Sequence, residues 1–226
     1  LKDFTNFASV ESIQGGAGND TLIGDDDGNV LAGGEGNDVI KGGDQADTLS
    51  GGLGADEIYG GGGDDSLIVD ADDTVIDGGD GTDEVIVLGA SGITLDMAAS
   101  NVEQVTGGEG NDTVTGSDNN DVIRGEKGDD TLSGGAGDDL ISGGEGADIL
   151  SGGAGDDVLY IDKDDSYEGG EGTDTLVYTG EEDFELNLTE SAAGIENIAG
   201  GEGNDTLTGD DGNNELLGQG GDDVLS

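Results

Sequence analysis

Carboxylates recur through this chain at a fixed step. From Gly15 it reads GGAGNDTLI, GDDDGNVLA, GGEGNDVIK, GGDQADTLS, GGLGADEIY, GGGGDDSLI, VDADDTVID and GGDGTDEVI, each nine residues long. A second run starts at Gly107 with GGEGNDTVT, GSDNNDVIR, GEKGDDTLS, GGAGDDLIS, GGEGADILS and GGAGDDVLY; it passes through an eight-residue IDKDDSYE and recovers with GGEGTDTLV at Gly169. A third run, from Gly200, reads GGEGNDTLT, GDDGNNELL and GQGGDDVLS, and breaks off in mid-pattern at Ser226, so it reads as truncated. Eleven units keep GGxGxD strictly and six more keep it loosely. An acidic oxygen at position six, set among glycine-rich turn carbonyls, is a donor set for a hard cation.

Composition removes most other chemistries. The chain has 226 residues, 55 Asp and Glu against five Lys and Arg, a formal net charge of -50, and no His, Cys, Pro or Trp. Without His there is no Ser-His or Cys-His machinery and no His-ligated zinc. Without Cys there is no disulfide framework and no thiol nucleophile. Scattered Lys and Arg give no footprint for nucleic acid and no cradle for phosphate. No apolar run approaches the roughly 18 residues of a membrane span, so membrane insertion is not expected. No basic lead with an apolar stretch reads as a signal peptide. A carboxylate pair repeated in every unit is structural rather than a glycosidase dyad, so no catalytic residue is expected and the chain reads as a non-enzyme. With 50 glycines and 31% apolar residues, composition alone gives a chain that is disordered or folds only with counter-ions.

The repeat decides how such a chain folds. Position eight is aliphatic in unit after unit, from Leu22, Leu31, Ile40 and Leu49 through Leu132, Ile141 and Leu150 to Leu207, while positions seven and nine vary. One buried residue between two exposed ones predicts a three-residue strand. The residues before it must turn, and glycines at positions one, two and four permit the positive φ values that turns need. A nine-residue period rich in Gly excludes helix. Stacked as a solenoid, two units make one coil, and units 18 residues apart lie above each other. The carboxylates then form columns: Asp20, Asp38 and Asp56; Asp47, Asp65 and Asp83; Asp112, Asp130 and Asp148; Asp121, Asp139 and Asp157; Asp205 and Asp223. At strand spacing of about 4.7–4.9 Å such a column is electrostatically poor without cations between its members. Ca2+, which accepts about 6–8 oxygens in flexible geometry, fits better than octahedral Mg2+.

A longer period overlies the short one. Val10-Glu11-Ser12-Ile13, Val102-Glu103-Gln104-Val105 and Ile195-Glu196-Asn197-Ile198 each lead into a run, spaced by 92 and 93 residues. Ile93-Thr94-Leu95 and Phe184 to Leu188 alternate as strands do, and a short helix is read over Met97 to Ser100. The chain therefore divides into a lead-in strand segment (1–14), repeat blocks (15–86, 107–177 and 200–226) and connectors (87–106 and 178–199).

The unit GGxGxDxUx resembles the RTX (haemolysin-type) calcium-binding nonapeptide repeat. The resemblance implies an all-β, right-handed parallel β-roll (a β-solenoid) with Ca2+ between stacked turns. It also implies each ion's ligands: the carbonyls of positions two and four and the Asp of one turn, with the carbonyls of positions one and three and the Asp of the turn 18 residues on. In the first run the implied sites are Gly16, Gly18 and Asp20 with Gly33, Glu35 and Asp38, then Gly34, Gly36 and Asp38 with Gly51, Leu53 and Asp56. On the other side they are Gly43, Gln45 and Asp47 with Gly60, Gly62 and Asp65, then Gly61, Gly63 and Asp65 with Gly78, Asp80 and Asp83. In the second run they are Gly108, Gly110 and Asp112 with Gly125, Lys127 and Asp130, then Glu126, Gly128 and Asp130 with Gly143, Glu145 and Asp148. Opposite lie Ser117, Asn119 and Asp121 with Gly134, Ala136 and Asp139, then Gly135, Gly137 and Asp139 with Gly152, Ala154 and Asp157. The third run offers Gly201, Gly203 and Asp205 with Gly218, Gly220 and Asp223.

Departures from the pattern carry expectations of their own. Asn29 and Asn214 replace Asp and weaken their sites, and Thr74 and Ser166 replace it in the two degenerate units. The missing residue near Glu168 puts Asp174 only 17 after Asp157, which is expected to disturb that site. Asp27, Gln45 and Asn119 replace the fourth-position Gly and are expected to strain their turns. Asp70, Asp72, Asp162 and Asp164 lack the Gly and Glu of an EF-hand loop and read as solvated, with a coil-end cation site as the alternative.

The resemblance implies a calcium-binding segment of a secreted or cell-surface bacterial protein that folds into a rigid β-roll on binding Ca2+. The 92–93-residue super-repeat favours a structural role, as in an adhesin or surface layer meeting other surface or matrix molecules. The alternative is the C-terminal secretion and folding module of a type I-secreted enzyme or toxin.

Overall fold

The computed structural model describes residues 3–5, 11–189 and 193–226; Val10 of the first lead-in motif lies outside the described residues. The chain forms two compact units, 1–110 and 111–226. Each is a stack of parallel strands.

In the first unit, two sheets alternate along the chain. One holds Ser12–Ala17, Val30–Glu35, Thr48–Leu53, Ser66–Val69, Glu84–Val87 and Gln104–Gly108, and the other Asp3–Thr5, Thr21–Ile23, Val39–Gly43, Glu57–Gly62 and Val75–Asp80. Pairing is parallel with an offset of 18, as in Leu31 with Leu49 and Ile40 with Ile58. The second unit repeats the arrangement, pairing Leu132 with Leu150 and Ile141 with Leu159. Two nonapeptides thus make one coil, and the chain is an all-β parallel roll.

Position eight supplies the core. Leu22, Leu31, Ile40, Leu49, Ile58, Leu67, Val85, Val114, Ile123, Leu132, Ile141, Leu150, Leu159, Leu176 and Leu207 are each at most 1% exposed. The strands are longer than the three residues expected. Val30–Glu35, for example, continues through positions one to three of the next unit, with Leu31 and Gly33 both buried. Period-two alternation puts position one on the same inward face as position eight.

The connectors extend the stack where alternation predicts strand, at Thr94–Asp96 and Glu185–Asn187. The expected short helix forms over Met97–Ser100. Asp96 Oδ1 caps its start by accepting the Ala99 N–H at 3.0 Å, and Asn101 ends it in the left-handed region at φ 48°.

Because each coil contacts only its neighbours, a gap in the aliphatic row weakens two interfaces. Ile58→Ala should cost about 2–5 kcal/mol, read from the urea midpoint in saturating calcium. Leu53→Ala, at a side chain 66% exposed, should stay within roughly 0.5 kcal/mol. Equal losses for the two would refute this account of the core.

Candidate metal centres

The position-six carboxylates are buried, and each is wired to its neighbour in the next coil. The backbone N–H of Asp20 donates to Asp38 Oδ1 at 2.8 Å, and that of Asp38 donates to Asp56 Oδ1 at 2.7 Å. On the opposite side, Asn29 donates to Asp47, Asp47 to Asp65 and Asp65 to Asp83 at 2.6–2.8 Å. In the second unit, Asp112 donates to Asp130 and Asp130 to Asp148, with Asp121 donating to Asp139 and Asp139 to Asp157, at 2.7–2.8 Å. Asp205 donates to Asp223 at 2.9 Å. The turns stack because each strand below ends in phase, so the peptide of one Asp meets the side chain of the next.

That pattern satisfies one oxygen of each carboxylate and leaves the other. The Oδ2 atoms of Asp20, Asp38, Asp47, Asp56, Asp65 and Asp83, and of Asp130, Asp139, Asp148, Asp157, Asp174 and Asp205, are buried and accept no hydrogen bond. An unpaired buried carboxylate oxygen is costly. The same defect, repeated in coil after coil, marks a missing positive partner.

A second oxygen converges on the same place. A Cβ at Gly15 would lie 2.7 Å from Asp20 Oδ2 and 2.6 Å from the Gly33 carbonyl oxygen, one coil on. The same pairing recurs at Gly33 (Asp38 Oδ2 and the Gly51 carbonyl), Gly42 (Asp47 and Gly60), Gly60 (Asp65 and Gly78), Gly125 (Asp130 and Gly143), Gly134 (Asp139 and Gly152) and Gly152 (Asp157 and Gly169). Position one is therefore glycine for space, since a side chain would fill the cradle. Its φ is not positive, contrary to the expectation from sequence; positions two and four carry the left-handed values, as at Gly34 (116°) and Gly36 (126°).

Seven of the other carbonyls named from sequence are placed by their hydrogen bonds. Position-three carbonyls of Glu35, Leu53, Asp80, Glu145 and Ala154 each accept a position-four N–H from the preceding coil at 2.6–2.9 Å. Ser117 and Gly201 carbonyls, at position two, accept N–H groups of Ala136 and Gly220. A carbonyl has two lone pairs, so each keeps one. Among the described residues no three acidic side chains converge. The donor set is two carboxylates with turn carbonyls, all hard oxygen, and it fits Ca2+.

Several irregular units behave differently from expectation. Asp174 is not displaced: its Oδ1 accepts the Asp157 N–H at 2.9 Å despite the 17-residue step. In the degenerate units Thr74 and Ser166 do not stand in for the Asp. Asp73 and Asp165, one residue earlier, accept the N–H groups of Asp56 and Asp148 at 3.0 and 2.9 Å. The extra residue of the first block is absorbed where Thr74 and Val75 both donate to the Asp56 carbonyl. Asp70 and Asp162 accept local N–H groups, from Asp72 and Asp164 at 2.8 Å.

Asp27, Gln45 and Asn119 are not strained, because none has positive φ. The turns at 24 and 116, which hold Asp27 and Asn119, and the turn at 209 fold as polar loops. The side chain at position two accepts the position-four N–H (Asp25 from Asp27, Ser117 from Asn119, Asp210 from Gly212), and the position-six side chain accepts the position-two N–H. Sequence reasoning also missed a second ladder. Position-five side chains accept from the following coil, as Asn19 does from Asn37 and Asp138 from Asp156. The recurring N or D before the repeat Asp was its signal.

Burial dominates the electrostatics. It pushes Asp139 up to about 7, opposed by the Asp121 N–H and reinforced by the charges of Asp157 and Asp121. Burial likewise raises Asp65, Asp83 and Asp174 to about 6.

Comparison with protein families finds the RTX calcium-binding nonapeptide repeat (4 copies) at residues 8–40, 23–58, 41–76, 100–132, 125–159 and 191–225. Comparison with curated proteins finds no match.

A folded-state pKa above the unfolded value of 3.8 means that protonation favours the folded state. That stability is complete below the unfolded value and is lost as pH rises through about 6 to 7. In chelator, lowering the pH from about 7.5 to about 5 should therefore raise β-type circular dichroism. A coil spectrum at both values would refute the assignment.

Proposed function

Because this chain belongs to the RTX calcium-binding nonapeptide repeat family, we propose that it is a non-enzymatic module whose folding is driven by calcium held between its coils. The observation that carries this reading is the buried, unpaired Oδ2 of Asp20, Asp38, Asp47, Asp65, Asp130, Asp139 and Asp157, each beside a position-one carbonyl of the next coil. Bound Ca2+ supplies the positive charge that these oxygens lack. The chain's residues do the rest. Asp38, for instance, accepts the Asp20 N–H on its carboxylate and donates its own backbone N–H to Asp56; it is tied to the coils on both sides, and in the ligand sets that the repeat implies its carboxylate serves the ions above and below. The ligand sets are those named from the repeat, and they recur through the blocks 15–86, 107–177 and 200–226.

Binding energy is then folding energy, because the unfolded chain holds no such cradles. With a net charge of -50, the metal-free chain repels itself and stays expanded. This suits a segment exported unfolded and folded outside the cell, where calcium is abundant. No described helix is long and apolar enough to cross a membrane. The super-repeat supports a structural or adhesive role at the bacterial surface, since it multiplies the same module in one chain.

Calcium added to chelated protein should convert a coil spectrum to β with a midpoint of roughly 0.1–1 mM, and equimolar Mg2+ should do so poorly. Asp139→Ala should lose two bound ions in calorimetry. An unchanged spectrum on chelation, or unchanged stoichiometry in the variant, would overturn the reading.

A further inference from the structure

The two turn columns of a block end differently. One ends at a closed cap. Asp73 accepts the Asp56 N–H on Oδ1 and the Asp70 N–H on Oδ2, so both oxygens are used. Asp165 does the same for Asp148 and Asp162. At Gly51 and Gly143, one coil before these caps, the three atoms nearest a Cβ all belong to Asp56 or Asp148, with no carbonyl from the next coil among them.

The other column ends against the connector, and there the cradle is rebuilt from residues outside the repeat. A Cβ at Gly78 would meet Asp83 Oδ2 and the Asn101 carbonyl; at Gly169 it would meet Asp174 Oδ2 and the Gly194 carbonyl. Asn101 and Gly194 replace the position-one residue, turned inward by left-handed φ values of 48° and 64°. Glu103 and Glu196 replace the repeat Asp: their Oε2 atoms accept the N–H groups of Asp83 and Asp174 at 2.9 and 2.8 Å. The backbone matches as well, since Glu103 and Gln104 both donate to the Asp83 carbonyl, and Glu196 and Asn197 both donate to that of Asp174. Asp83 and Asp174 are fully buried, and their Oδ2 atoms have no partner. The connectors differ in length, with pairing offsets of 20 at Glu84–Gln104 and 22 at Thr175–Asn197. Both nonetheless converge on the same three contacts.

We propose that Glu103 and Glu196 each complete a calcium site of their own at the connector, one held with Asp83 and the Asn101 carbonyl and the other with Asp174 and the Gly194 carbonyl. The proposal rests on the calcium reading of the repeats and adds two ions to it. The extra methylene of Glu spans the longer connector, reaching the point that a repeat Asp reaches from its own turn. The Val/Ile-Glu-x-Val/Ile element is thus a ligand-bearing element as well as a strand start.

The test counts ions. Wild-type protein and the Glu103→Gln/Glu196→Gln double variant are saturated with calcium, and stoichiometry is read by calorimetry and native mass spectrometry. Gln keeps the acceptor for the Asp83 and Asp174 N–H groups, so the stack is retained. The double variant should bind two ions fewer, and each single variant one fewer. Undiminished stoichiometry in the folded double variant overturns the proposal and leaves the repeat sites standing; a wild type that binds no calcium overturns the underlying reading instead. Should the double variant fail to fold, wild-type protein carrying 13C-labelled Glu decides. A calcium-induced shift in the Glu carboxylate stretch that each single variant roughly halves supports the sites, and no shift, or one that neither single variant reduces, overturns them.

Discussion

A buried carboxylate that can satisfy only one of its two oxygens from the protein is the constraint on which the rest of this structure depends. Two carboxylates about 5 Å apart repel by roughly 1–3 kcal/mol at effective dielectrics of 80 to 20. The columns place them in sequence, one per coil, each beside the next. The backbone N–H groups that reach Oδ1 offset part of that repulsion, yet they pull Asp139 down less than burial pushes it up, to about 7. The balance falls to a cation. The aliphatic row fixes the pitch at which the columns stack, and the columns fix what must bind for that row to stay closed.

Two ladders run in opposite senses along the same turns. Position-six side chains accept from the coil before, as Asp38 does from Asp20, and position-five side chains accept from the coil after, as Asp129 takes the N–H of Ala147. Together they satisfy the peptides on both sides of the turn, which pure glycine could not do. The position-six ladder is buried and leaves an oxygen over for metal. The position-five ladder is exposed, so water serves its remaining atoms and Asn, Asp or Thr can alternate there.

The period, the inward row and the alignment of Asp columns were legible because each follows from counting: nine residues, two faces, one carboxylate per turn. Four things were not. The glycine at position one looks identical to those at two and four in sequence, yet it is required by the space taken by Asp38 Oδ2 and the Gly51 carbonyl rather than by φ. Asp73 and Asp165 sit one residue before the aligned position, and only the three-dimensional path, with its doubled donation to the Asp56 carbonyl, brings Asp73 into register. Asp174 was misjudged for the same reason: counting residues registers the deletion, whereas the strands re-pair after it, Val158 against Thr175, and carry the carboxylate back to its place. Glu103 and Glu196 were visible as a recurring motif but carried no spacing that tied them to a column.

The ends of the columns say what the repeating element is. A stack of identical coils would leave its terminal carboxylates facing nothing. Here the second turn of every run, at 24, 116 and 209, closes on itself through its position-two and position-six side chains, so each of these columns starts with a cap. In the first two blocks one column ends in an acidic loop whose carboxylate has both oxygens filled, and the other ends against a connector Glu. Start cap, coils, closed end and Glu end recur together, about 92 residues apart. The nonapeptide is therefore the unit of folding geometry, whereas the block is the unit of electrostatic closure. With the proposed calcium at each Glu end, a chain that multiplies blocks adds ions without leaving the last carboxylate of a column unpaired, and on this reading the degenerate units and connectors belong to the mechanism as much as the regular repeats do.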